Sequence, residues 1–213
     1  PLVVLADAVK KSVHIPVITV NKIRDPKMAE SIIRNKQADF IGIGRTLLAD
    51  PDWPNKVQEG REDEISRCIA CNQGCISRLF EQKDVWCTVN PQTGREAMFA
   101  KGLKKKKHVI IVGGGPAGME AASTAARRGH KVTLFEEKSE LGGQLIPAAE
   151  APHREGWREL REDMVHDVKS LPIDVRLNTT FTVSHAKRMN PDAIIIAIGS
   201  FAKIPPIPGI PPT

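Results

Sequence analysis

The stretch HVIIVGGGPAGMEAASTAARRGHKVTLFEE, residues 108–137, leaves little choice of local fold. A short apolar run, a glycine cluster, an alanine-rich segment and a second apolar run ending at Glu136 predict strand, turn, helix and strand, a βαβ unit. Gly113, Gly115 and Gly118 have the G-x-G-x-x-G spacing. The first allows the tight turn, the second lets a pyrophosphate approach the backbone, and the third lets helix and strand pack closely. Pro116 and Ala117 open the helix, whose unpaired N–H groups and positive dipole end would face that pyrophosphate. Glu136 stands eighteen positions beyond Gly118, where a carboxylate bonds ribose hydroxyls and repels a 2′-phosphate. A dinucleotide is therefore expected, FAD or NAD before NADP.

Beyond Glu136 comes SELGGQL, which contains Gly143 and Gln144, and then an amphipathic stretch from Arg154 to Leu171. Trp157, Leu160, Met164, Val168 and Leu171 recur at helical steps and predict a core-facing stripe. DVRLNTT and DAIIIAIG read as strands, the second as one buried on both faces and closed by Gly199. IPPIPGIPPT has the proline content of a linker. His153, His166 and His185 lack partners at ligand spacing, so surface or satisfied roles are expected.

The first sixty residues alternate strand and helix. SVHIPVITVNKIRD carries a strand ending at Asn21 and Lys22, PKMAESIIRNKQ a helix, and ADFIGIGR a strand ending at Gly44 and Arg45. Both strand ends suit a phosphate, which in β/α barrels commonly sits in the loops after the last strands.

All four cysteines lie within CIACNQGCISRLFEQKDVWC. The spacing is C-x2-C-x3-C, then eleven residues, then Cys87. Three clustered thiols with one remote partner favour an iron–sulfur cluster. Structural zinc more often uses two knuckles, and paired disulfides suit a secreted chain. Zinc and disulfides stay open as alternatives on spacing alone.

The net charge of +6 is local: five lysines lie in KGLKKKK, residues 101–107, and without them 26 basic face 25 acidic residues. A solvated linker explains that run better than a nucleic-acid surface, which needs basic residues spread over a face and aromatics to stack bases. At 41% apolar residues the chain can bury a core, and it has no run of eighteen apolar residues, so neither nucleic acid nor membrane is expected as a partner and a cytoplasmic location is the default.

These features, in this order, resemble the large iron–sulfur flavoproteins related to old yellow enzyme, the family of 2,4-dienoyl-CoA reductase, enoate reductase and trimethylamine dehydrogenase. The resemblance rests on VNKIRDPKMAE, FIGIGRTLLADPDWPNK, CIACNQGC with Cys87 and VNP, VGGGPAGMEAA and LGGQL. It implies an α/β chain in which 1–60 form the last two β/α units of an FMN-binding TIM barrel. Residues 61–100 would carry the cluster, 101–107 would link, and 108–213 would form part of a Rossmann-like FAD domain. Asn21, Lys22, Gly44 and Arg45 would hold the FMN phosphate. Cys68, Cys71, Cys75 and Cys87 would ligate a [4Fe-4S] cluster, and Gly113, Gly115, Pro116, Ala117, Gly118, Glu136, Gly143, Gln144 and Gly199 would bind FAD. Electrons from NAD(P)H would pass through FAD and the cluster to FMN and reduce an activated C=C bond of an enoyl-CoA or enoate. The x3 gap before Cys75 looks like the reductase branch rather than the amine dehydrogenase branch. A zinc-stapled nucleotide-binding regulatory module is the alternative from another class. AIGS stands where the family more often has ATGS. Family members are several times longer, so the chain is expected to be an internal fragment without its proton-donating residue.

Overall fold

The computed structural model describes residues 2–99 and 105–200. Residues 101–104 of the lysine run at 101–107, and the proline-rich stretch, lie outside the described residues. Two compact units are formed, 2–99 with 148–167, and 105–147 with 168–200.

The first unit opens with α1 (Val3–Lys10), β1 (Ile18–Thr19), α2 (Pro26–Arg34), β2 (Phe40–Ile41), α3 (Arg45–Ala49) and α4 (Trp53–Gln58). Two short helices follow, α5 (Ile76–Phe80) and α6 (Glu96–Phe99). β1 and β2 pair in parallel, Ile18 opposite Phe40 and Thr19 opposite Ile41. The crossover between them is α2, started by the Asp25 side chain, which accepts the Lys27 N–H at 2.9 Å, and by Pro26 at the first helical position. Ile23, Ala29, Ile32, Ala38, Trp53 and Ile65 form the core under these elements. Two polar contacts fix its rim: Trp53 Nε1 donates to the Arg24 carbonyl at 3.2 Å and Thr46 Oγ1 to the Ile23 carbonyl at 2.9 Å.

The second unit contains β3 (His108–Val112), α7 (Pro116–Arg127), β4 (Lys131–Phe135), most of α8 (Leu145–Ala148) and the last residues of α9 (Glu155–Ser170). β5 (Ile173–Arg176), α10 (Val183–Met189) and β6 (Ala193–Ile196) complete it. Its sheet runs β5-β4-β3-β6, every pair parallel, with Ile111 opposite Leu134 on one side and Ile195 on the other. β3 and β4 are buried apart from their first residues, His108 and Lys131, and the end of β3, and Met119, Ala122 and Ala126 of α7 are buried with them. β6 departs from the sequence expectation. Ile194, Ile195 and Ile196 are 40%, 41% and 72% exposed, because β6 is an edge strand of the described sheet.

Alternation of parallel strand and helix in both units is the α/β class, with barrel-type β/α units in the first and a Rossmann-like arrangement in the second. Among the described residues no helix is long and apolar enough to cross a membrane.

Candidate functional site

In the first unit both strand ends open onto one cavity of 690 Å3. Asn21 and Lys22 follow β1 with φ of 83° and 54°, left-handed values that an ordinary residue adopts only under constraint. Gly44 caps α3 and Arg45 is its first residue. All four residues expected at a phosphate line this cavity, as do Cys68 and Ile69 of the cysteine segment. His153, Glu155 and Gly156 line it too, a contribution the sequence reading missed for His153 and had no reason to expect from the other two. The volume suits a flavin-sized ligand, since such sites enclose about 300–1,000 Å3.

Cys68, Cys71, Cys75 and Cys87 line a second, smaller pocket, whose wall is completed by apolar Leu48, Ile69, Trp86 and Val89 and by polar Arg45, Asn72 and Thr88. Arg45, Cys68 and Ile69 belong to both pockets. Burial raises the Cys87 thiol above its ordinary value, opposed by N–H groups of Asn90 and Val89, while Cys68 and Cys71 nearby raise it further. Cys71 Sγ donates to Thr88 Oγ1 at 3.3 Å. Four thiols lining one pocket, with backbone N–H groups directed at the Cys87 sulfur, are a donor set that fits a thiolate-ligated iron–sulfur cluster. Among the described residues no group of three or more His, Cys, Asp or Glu side chains converges on one metal-ion position.

Gly74 lets the Cys75 side of the loop approach the Trp86 peptide, next to Cys87. A Cβ there would collide with the Trp86 carbonyl and lie 2.6 Å from its ring, and the Trp86 N–H donates to the Gly74 carbonyl at 2.7 Å. Ala70 and Asn72, flanking Cys71, have φ of 53° and 60°, so the loop winds through two left-handed residues around that thiol.

Three charged groups hold the segment. Arg24 Nη1 donates to the Cys68 carbonyl at 2.9 Å and to Glu159 at 2.6 Å. Arg67 donates to Asp163 through both side chain and backbone, and that hydrogen bond holds the guanidinium protonated above its ordinary range. Buried Asp50 accepts the Ser66 N–H at 2.9 Å and the Lys56 ammonium at 2.7 Å. None of these residues carries a motif that announces such a role.

In the second unit a cavity of 440 Å3 is lined by Gly113, Gly115, Pro116, Ala117, Glu136, Gly143, Gln144 and Gly199. Gly118 lies outside the lining and is buried, its Cβ position blocked by the Gly113 carbonyl, so it serves close packing of α7 on β3. Gly113 and Gly143 have φ of 106° and 51°, and a Cβ on Gly143 would come within 2.8 Å of the Gly115 Cα. Bare backbone thus faces bare backbone at the turn. Glu136 is 7% exposed and its two oxygens accept the Gly114 N–H at 2.6 Å and the Lys138 N–H at 2.8 Å. Each oxygen retains a lone pair for a ligand hydroxyl. His185 is satisfied by the Thr182 N–H and hydroxyl, and His166 lies 3.9 Å from Asp63.

Parallel β/α units with one cavity at the ends of two paired strands and another at a glycine turn are the arrangement in which α/β proteins bind nucleotides and flavins. Residues 107–213 match the family model of the pyridine nucleotide-disulphide oxidoreductases, and residues 4–64 that of the NADH:flavin oxidoreductase / NADH oxidase family. An NADH oxidase of Thermoanaerobacter brockii is 46% identical over 97% of this chain and 32% of its own length. A cinnamate reductase of Clostridium sporogenes is 40% identical over 91% of this chain and 29% of its own. Among solved structures, a 2-naphthoyl-CoA reductase in complex with 2-naphthoyl-CoA superposes with a TM-score of 0.91 at 36% identity, covering 98% of this chain and 32% of that one. The chain belongs to the NADH:flavin oxidoreductase family related to old yellow enzyme. It spans about a third of the length of these relatives.

Proposed function

We propose that this chain is part of an NAD(P)H-dependent oxidoreductase in which 1–60 supply two β/α units of an FMN-binding barrel, 61–100 bind a [4Fe-4S] cluster and 108–213 bind FAD. The observation that carries this reading is the wall shared by the phosphate cavity and the four-thiol pocket, made of Arg45, Cys68 and Ile69. The exposed side chains of Ile18 and Phe40 on the two-stranded sheet, and of Val20 just after β1, support the barrel, since neighbouring strands would cover them. When bound, these groups supply electron transfer from a pyridine nucleotide to an activated carbon–carbon double bond, in an enoyl-CoA or enoate substrate.

The chain's own residues bind and orient. Lys22 gives a point charge and Arg45 a planar fork to the phosphate, and the left-handed backbone at Asn21 and Lys22 turns both toward the cavity. Cys68, Cys71, Cys75 and Cys87 donate thiolates in a pocket lined in part by Leu48, Ile69, Trp86 and Val89. Gly113, Gly115 and Gly143 admit a pyrophosphate to the backbone, and Glu136 favours an unphosphorylated ribose.

Anaerobic turnover by the full-length protein with NADH or NADPH tests the reading. Reduction of cinnamate- or enoyl-CoA-type substrates is expected, without oxidation of tertiary amines. Amine oxidation without alkene reduction would move the protein to the amine dehydrogenase branch.

A further inference from the structure

Arg45 is a long side chain beside an open cavity, and its backbone is fixed independently of its head. Gly44 caps α3, and Thr46, buried, ties the helix start to the Ile23 carbonyl. Among the described residues the guanidinium makes one hydrogen bond, Nη1 donating at 2.6 Å to Oδ1 of Asn72, which lies between Cys71 and Cys75. Asn72 is suited to that task by backbone as well as side chain. Its φ of 60° lies where Asn is tolerated better than most residues, and its carbonyl accepts the Ser77 N–H at 3.0 Å, anchoring it at the start of α5. Its amide oxygen is neutral. A carboxylate in its place would offset the charge that a phosphate needs from Arg45. With Nη1 held, Nε and Nη2 have no hydrogen-bond partner among the described residues, and they are the pair of donors that binds two phosphate oxygens at once.

From this geometry we infer that Asn72 is a positioning residue that aims Arg45 and so makes the cavity selective for a phosphorylated flavin over its dephosphorylated form. The inference rests on the proposed role of Arg45 as a flavin-phosphate ligand. Through this one hydrogen bond, the loop that carries the thiols sets the affinity of the neighbouring phosphate site.

The test is a double-mutant cycle on full-length protein stripped of flavin, titrated separately with FMN and riboflavin. Asn72→Gly removes the amide but keeps the left-handed backbone accessible. It should lower the preference for FMN over riboflavin by about three- to tenfold, leave riboflavin binding within about twofold, and have no further effect in an Arg45→Ala background. A preference unchanged by Asn72→Gly but lost in Arg45→Ala would overturn the positioning role alone. Equal loss of both flavins, or a loss that persists in the Arg45→Ala background, would show a merely structural role. A preference unchanged even in Arg45→Ala would overturn the phosphate assignment of Arg45, and the inference with it.

Discussion

Asp50 is 3% exposed and carries more of the first unit than any motif in the sequence signals. Its oxygens accept the Ser66 N–H and the Lys56 ammonium on one side and the Asp52 N–H at 3.1 Å on the other. Replacing it with Ala leaves a backbone N–H just ahead of Cys68 and a part-buried ammonium without an acceptor, so Asp50→Ala should cost about 2–4 kcal/mol of unfolding free energy. Asp50→Asn keeps an acceptor and should cost less. Denaturant melts of the two variants check this; equal loss in both would mean that charge alone, not the hydrogen-bond geometry, sets the cost. In the sequence Asp50 stands inside FIGIGRTLLADPDWPNK, a stretch that carries the family resemblance. Nothing in its spacing says that the aspartate reaches sixteen residues forward to Ser66, because that contact is made by folding rather than by local periodicity.

At the scale of elements, the cysteine segment has almost no regular structure and depends on close backbone approach. Gly74 is buried, and the Trp86 peptide and ring occupy the space its Cβ would need. Gly74→Ala should therefore push the Cys75 side of the loop from the Cys87 side and lower iron retention severalfold, while residues 108–200 keep their fold. Iron assay together with FAD binding reads both effects; undiminished iron in Gly74→Ala would contradict this packing. The glycine inside CNQGC was the available signal, and it is weak because many loops carry glycine. By contrast β3, α7 and β4 were legible at full length: five-residue apolar runs and a glycine turn form the same element wherever they occur. β6 was legible as a strand but not as an edge, since its apolar sequence resembles that of a central strand and strand order is a property of the sheet.

Over the whole molecule, the candidate ligand residues fall into three groups, each lining its own pocket, apart from Gly118, which packs rather than binds. Residue types and spacing made the groups legible. The wall that joins two of them was not, because Arg45 and Cys68 are far apart in sequence and meet only through the fold. Nor was the grouping of residues 148–167 with the first unit, since an amphipathic helix shows which face is buried but not against what. What the four thiols hold beside the cavity of Lys22 and Arg45 decides the proposed function. The direct measurement is iron, zinc and acid-labile sulfide per chain in full-length protein purified without oxygen, alongside Cys71→Ser. About four irons and four sulfides per chain, lost in the variant, are predicted; one zinc per chain with no sulfide would contradict the account.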